Sequence, residues 1–347
     1  MEPLDDAKFS GTKEVAEHLT IEVSNLQPWI DEFVPGAGKI NSIEQFKGGQ
    51  SNPTYKIVTE SKNLVLRRKP PGKLLPSAHA VDREYKVITA LYETDVPVPK
   101  TYGLCEDDEI AGTAFFVMDF LDGDLFWNPM IPSLSNQDRT EIYQNKNKTL
   151  ALLHDVDYKK IGLEDYGKPG NYVARQVARW SKQYRASETD DIEAMNNLID
   201  WLPKNIPDDD ETSIVHGDYR LDNMILKNNQ VMGILDWELS TLGHPIADFS
   251  YHCLSWRTQE AFWDQAKLKE LGVPSEKEYM DMYCENTGKD LSKNWEFYMA
   301  FNMFKIAGIL QGILGRVRDG TASSKHAEDR GMTVSYTHLR AHETLLY

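Results

Sequence analysis

The sequence is poor in cysteine, in basic charge and in long apolar runs. Three cysteines stand in 347 residues. Cys105, Cys253 and Cys284 are scattered and odd in number. That argues against a disulfide frame or a zinc site and for reduced core thiols, so a reducing, cytoplasmic location is expected. Lys and Arg number 38 against 54 Asp and Glu, a net charge of −16. Nucleic acid and anionic membrane surfaces are therefore unexpected partners, because both bind through clustered cations. No apolar run approaches the roughly 20 residues of a spanning helix. The first residues lack the basic and then apolar pattern of a signal peptide. What is left is 41% hydrophobic and 27% charged, an ordinary globular composition in a chain long enough for two domains.

The most informative stretch runs from Ile214 to Glu238. Ile214 and Val215 read as a buried strand end. His216, Gly217 and Asp218 follow as a tight turn carrying a carboxylate. Met224 to Leu226 reads as a strand, Asn228 and Asn229 as a turn, and Val231 to Leu235 as a second strand. Such a hairpin returns the chain, bringing Asp236 back toward Asp218 and Asn223. Two carboxylates and an amide make an all-oxygen set that suits Mg²⁺, which takes one or two carboxylates plus substrate phosphates.

Upstream, Leu26, Trp29, Ile30 and Phe33 follow helical spacing, with Ser24 or Asn25 as cap and Pro35 and Gly36 as stop. Ile43 to Phe46 and Tyr55 to Val58 read as strands around a glycine-containing turn. Gly48 and Gly49 there let backbone approach an anion, although an ordinary hairpin has the same pattern. Leu64 to Arg67 is a third strand. Ala80 to Tyr92 reads as a helix with Val81, Tyr85, Ile88, Leu91 and Tyr92 on one face, and Glu84 falls inside that face. A buried carboxylate needs a cation; Arg67 is the natural candidate, and a pairing with a neighbour such as Arg83, or a place at the rim of the stripe, is the alternative. Phe115 to Phe120 is a buried-type strand. The rest reads helical, over Glu141 to His154, Tyr172 to Tyr184, Ile192 to Leu202 and Phe297 to Leu314. Asp248 opens another helical run, where its carboxylate caps the helix and braces the turn at His216. His154 reads as structural. Residues 335–347 are rich in Thr, His and Leu without periodicity and read as a non-native tail.

The turn from His216 to Asp218, with Asn223 and Asp236 after it, resembles the catalytic core of the kinase superfamily, most closely its aminoglycoside-phosphotransferase-like branch. The segments from Gly48 to Tyr55, Leu66 to Tyr85 and Tyr172 to Trp180 are similar to the kinase-like domain associated with certain acyl-CoA dehydrogenases and to its bacterial stand-alone relatives. The resemblance implies an α+β, two-lobed protein-kinase-like fold. Its N-terminal lobe, residues 1–120, is an antiparallel sheet with one key helix that binds nucleotide. Its mainly helical lobe, residues 121–334, carries catalysis and substrate. It also implies ATP and Mg²⁺ as cofactors and a small-molecule hydroxyl as phosphate acceptor. Asp218 is then the base, and Arg220 lies near the transferred phosphate. Asn223 and Asp236 hold the metal, and His216 braces the loop. Gly48, Gly49, Ser51, Asn52 and Thr54 cover the phosphates. Arg67 stands where kinases place a lysine and pairs with Glu84. Asp119, Phe120 and Leu121 form the hinge that meets adenine.

The resemblance points to a hydroxyacyl-CoA as acceptor, with an aminoglycoside as the alternative. Arg67 in the lysine position leaves open a non-catalytic nucleotide-binding module, and a Mg-dependent phosphoester hydrolase is a third reading. Around Tyr172 to Arg185, Val173, Val177, Trp180 and Tyr184 face one way, and Arg175, Arg179, Lys182 and Arg185 the other. That basic stripe reads either as a solvated face answering the acids from Glu188 to Glu193 or, through Arg175 and Arg179, as the border of a cleft for an anionic substrate.

Overall fold

The computed structural model describes residues 10–47, 52–72 and 79–318. Gly48, Gly49 and Ser51 of the expected phosphate-covering loop lie outside the described residues, as does the segment 335–347. The described chain divides into two compact units. The first takes the described residues up to Leu152, with Asp157–Tyr166 and Arg220–Ser240. The second takes Leu153–Val156, Gly167–Tyr219 and the described residues from Thr241 onward. The expected break at residue 120 does not coincide with this division. Asp124 bridges to Leu226, which ties the segment after residue 120 to the hairpin that follows Asn223.

The first unit is built on a six-stranded antiparallel sheet of order β1-β2-β3-β4-β6-β5. Its strands are β1 (Thr12–Lys13), β2 (Ile40–Phe46), β3 (Thr54–Thr59), β4 (Asn63–Arg68), β5 (Thr101–Cys105) and β6 (Phe115–Asp119). Tyr55, Ile57 and Thr59 are buried while the residues between them are half-exposed, the two-residue period of a strand with one wet face. In β6 the run from Phe115 to Met118 is buried on both faces. Helix α1 (Val23–Phe33) buries Leu26, Trp29 and Ile30, as its spacing predicts. Trp29 stacks on Phe33 and meets Phe115 edge-on. The expected cap is corrected: Glu22 occupies the N-cap, and no side chain caps the helix.

Helix α2 (Val81–Leu91) buries Val81, Glu84, Val87, Ile88 and Leu91. Glu84 is therefore on the buried face. Tyr92 is not, because the helix ends before it and the ring is exposed. A short helix α3 (Asp108–Ala111) precedes β6. Helix α4 (Asn136–Asp155) starts five residues ahead of the expected Glu141. Strands β7 (Ser213–Val215), β8 (Met224–Lys227), β9 (Gln230–Ile234) and β10 (Thr241–Gly243) follow. The β8–β9 hairpin turns on Asn228 and Asn229, both at positive φ, the left-handed turn that matches strand twist.

In the second unit β7 pairs antiparallel with β10. The rest is helical: α5 (Tyr172–Ala186), α6 (Glu193–Trp201), α7 (Pro245–His252), α8 (Ser255–Thr258), α9 (Gln265–Leu271), α10 (Glu276–Thr287) and α11 (Trp295–Arg318). Helix α7 begins three residues before Asp248, and its N-cap is His244, so Asp248 does not cap it. Helix α11 corrects the expectation about apolar runs, since by length and composition it is long enough to cross a membrane. Here it is a core helix. Every residue from Phe297 to Phe304 is buried, and Asn302 among them donates to the Ala247 carbonyl and to Ser250 Oγ, both at 2.8 Å.

Candidate active site

In the first unit the side chains of Arg67, Glu84, Asn52, Thr54 and Asp236 form one network. Strand β4 carries Arg67 and α2 carries Glu84. Arg67 Nε donates to Glu84 at 3.1 Å, and its Nη2 donates to Asp236 Oδ1 at 2.5 Å. Thr54 Oγ1 lies 3.5 Å from Nη1. Arg67 is thus the partner of Glu84, while Arg83 donates to the Tyr166 carbonyl instead. Glu84 is 1% exposed, and Asn52, which is fully buried, donates to its Oε1 at 2.8 Å. Asn52 Oδ1 then accepts, so the His79 Nδ1 found 2.9 Å away donates to it. Asn52 was expected at the phosphates. Its amide instead holds Glu84.

Burial pushes Glu84 up to about 7, against the pull of Arg67 and with the push of the Asp236 and Glu238 carboxylates. Burial pulls Arg67 down, but the Glu84 and Asp236 charges outweigh it and raise its pKa. The guanidinium stays charged, as arginine does, and is the fixed cation of the network.

The open end of the β8–β9 hairpin carries Asn223 and Asp236. The Leu235 amide donates to the Asn223 carbonyl at 2.8 Å, which brings the two positions level. Asp236 has φ 62 and ψ 61, a left-handed backbone that Asp tolerates better than most residues. Asn223 is buried, and the Asp236 side chain is 33% exposed. Among the described residues no group of three or more His, Cys, Asp or Glu could hold a metal ion. A hard cation shared with substrate phosphates asks for fewer protein ligands, and an amide with one carboxylate fits that need. Arg220 of the same unit donates to Asp222 at 2.6 Å.

The expected hinge is in the first unit. The Asp119 amide donates to the Lys100 carbonyl, and the Phe120 amide to the Asn63 carbonyl. The Asp119 side chain accepts from Tyr102 at 2.7 Å. Phe120 stacks on Phe46, and Lys56 sits 4.8 Å over its ring. Leu121 packs so closely on Gly233 that a Cβ there would come within 2.1 Å of its Cδ1.

Asp218 belongs to the second unit. The loop leading into it is held by Asp248, which accepts from the His216 amide at 2.8 Å and the Gly217 amide at 2.9 Å. His154 Nε2 lies 3.2 Å from the same carboxylate, and its Nδ1 is 2.6 Å from Tyr283 Oη. Burial works against a charged Asp248, but the His154 hydrogen bond, the neighbouring His154 and His216 imidazoles and the His216 amide outweigh it and lower its pKa. Gly217 has φ 83, which its lack of a Cβ allows. The Asp218 amide donates to His216 Nδ1 at 3.2 Å. His216 and His154 are thus structural, and Asp248 braces the loop as expected.

The basic stripe on α5 is not uniform. Val173, Val177 and Tyr184 are buried inward. Arg175 turns back to the Gly170 and Lys168 carbonyls, and Arg185 pairs with Glu188. Arg179 only lies over its neighbour Trp180. Two residues were not singled out from the sequence. His79 sits in a segment without periodicity. Lys305 is the one charged residue between Phe297 and Leu314, a signal that was present in the sequence.

A sequence profile of the phosphotransferase enzyme family matches residues 42–283. The chain is 46% identical over 329 residues to acyl-CoA dehydrogenase family member 10 of Mus musculus, covering 92% of this chain. It spans only 31% of that relative's length. A Ralstonia eutropha protein with the provisional name aminoglycoside phosphotransferase is 48% identical, with a TM-score of 0.85 over 94% of this chain and 98% of that one. A thermostable mutant of aminoglycoside phosphotransferase APH(4)-Ia, solved in ternary complex with ADP and hygromycin B, has a TM-score of 0.62. It covers 92% of this chain and 98% of that one, but at 12% identity the likeness is one of fold alone.

Proposed function

This chain belongs to the phosphotransferase enzyme family, and we propose that it transfers the γ-phosphate of ATP, with Mg²⁺, to a hydroxyl of a small molecule. The observation that carries this reading is the buried cation Arg67, clamped by Glu84 and reaching Asp236. A guanidinium held by a carboxylate from behind presents its remaining donors in a planar fork, the geometry that grips phosphate. Asn52 holds Glu84, so the cation is positioned from the interior outward. Asn223 and Asp236 would hold Mg²⁺, which when bound neutralises charge on the transferred phosphate. Asp218 accepts the proton of the acceptor hydroxyl, and the Asp248 brace fixes its loop. Arg220, held by Asp222, attends the phosphate. The hinge residues Asp119, Phe120 and Leu121 meet the adenine.

Among acceptors, a hydroxyacyl-CoA is supported by the likeness to proteins named as acyl-CoA dehydrogenase family members, of which this chain corresponds to only a part. A second reading is a nucleotide-binding module that does not turn over. The Arg67–Asp236 contact favours it, because that contact engages an oxygen a metal would need. Incubation with γ-labelled ATP, Mg²⁺ and a panel of hydroxyacyl-CoA, free hydroxy acid, choline and hygromycin B decides between them. The expected result is label on the hydroxyacyl-CoA. A nucleotide-dependent thermal shift with no labelled product from any acceptor would favour the module.

A further inference from the structure

In the second unit, Lys305 is a cation withdrawn from the surface that makes no ion pair or hydrogen bond among the described residues. Lys305 of α11 is half-buried, and its Nζ lies 4.2 Å from the centre of the Tyr251 ring on α7. Arg179 of α5 is exposed, and its guanidinium lies 5.6 Å from the centre of the neighbouring Trp180 ring. The two helices meet there, since a Cβ at Gly308, one turn after Lys305, would sit 3.5 Å from Trp180. The charges acting on Lys305 are those of Asp248, Asp218 and Arg179, and burial lowers its pKa. Tyr172 opens α5 with its ring against Gly243, and its hydroxyl has no hydrogen-bond partner among the described residues. Burial raises its pKa, and Asp248 and Arg179 act on it too.

A lysine costs a great deal to bury without a partner. A ring face offsets only part of that cost. Arg179 is near enough to repel Lys305, which makes the arrangement worse still for the protein alone. A shared anion would relieve all three features: it would receive the ammonium, the guanidinium and the phenol together. The site adjoins Asp218, the group that takes the acceptor's proton.

We propose that Lys305, Arg179 and Tyr172 form a seat for an anionic group, a carboxylate or phosphate, on the acceptor that Asp218 serves. This deepens the phosphotransferase reading and rests on it. The seat selects acceptors with negative charge at a fixed distance from the reacting hydroxyl. It disfavours polycations such as aminoglycosides. Arg175 is not part of it, because its guanidinium is committed to the Gly170 and Lys168 carbonyls.

The test uses the intact chain with Mg–ADP present, titrated by calorimetry with inorganic phosphate, 3-hydroxybutyrate and methyl 3-hydroxybutyrate. The wild type should bind at least one of the two anions and should bind the neutral ester much more weakly. Phosphate or carboxylate as the better probe identifies the source of the negative group. Lys305→Met should weaken the anion roughly tenfold to a hundredfold, the size of one charged hydrogen bond. Lys305→Arg should recover most of it, and nucleotide affinity should stay within about twofold of wild type in both. With an acceptor that turns over, Lys305→Met should raise KM by the same factor and leave kcat nearly unchanged. No binding of either anion by the wild type overturns the seat, as does equal binding in Lys305→Met. Loss of ADP binding in the wild type would instead refute the phosphotransferase reading.

Discussion

Removing the guanidinium of Arg67 tests the network at its centre. Arg67→Met keeps the stem that crosses the sheet and leaves Glu84 with burial and two like charges. Glu84 is 1% exposed, and Asp236 and Glu238 both push its pKa up. Arg67 is what holds it down to about 7, so the variant's Glu84 must titrate higher. A carboxyl raised above its unfolded value of 4.5 binds more protons in the native state, so stability falls as pH rises through the interval between the two values. In wild type that window is about 4.5 to about 7. In Arg67→Met it extends upward. Near pH 5 both native states carry the proton, and the variant loses only contacts. Above pH 7 the wild type ionises against Arg67 and the variant does not, so the gap should widen by up to about 1.4 kcal/mol per unit. At pH 8 it should reach about 3–5 kcal/mol, the range for breaking a buried pair on one side. Urea unfolding from pH 5 to 9 reads this directly. The same series in Glu84→Gln should remove the widening, and the double-mutant cycle should show coupling of about 0.5–3 kcal/mol. A gap independent of pH, or additive single effects, would falsify the claim that Arg67 holds Glu84.

Asp218→Asn should keep nucleotide binding and slow phosphoryl transfer by roughly 10² or more, the scale of a positioned base; turnover like wild type removes Asp218 from the mechanism. Asp236→Ala should abolish the Mg²⁺-dependent part of the nucleotide thermal shift, and an unchanged shift would put the metal elsewhere. Asp248→Asn should cost roughly 1–3 kcal/mol for each amide of the His216 loop it strands. Its carboxyl is lowered from 3.8, so it contributes stability above that value that wild type loses as pH falls below it. An acid melt in which Asp248→Asn and wild type lose stability in parallel would refute that role.

Much of the first unit was legible because its signals are local. Two asparagines at positive φ, flanked by apolar strands, specify the β8–β9 hairpin whatever surrounds it. The burial of Glu84 followed from its place on the α2 wheel, and the need for a cation followed from burial. Arg67 was the expected partner of Glu84; what the sequence could not show is that the same guanidinium also reaches Asp236, and that Arg83 goes instead to the Tyr166 carbonyl. Asp248 shows the limit from the other side. Its bracing role was foreseen, but its position within α7 depends on where the chain bends at His244 and Pro245. The bond from the Asn52 amide to Glu84 was not legible, because it joins two segments far apart in sequence. The partition into units was not legible either, because residues 220–240 leave their sequence neighbours to join the first unit. Periodicity and turn chemistry act over a few residues and are written in the sequence. Charge pairing and unit membership depend on which distant segments meet, and only the folded chain decides that.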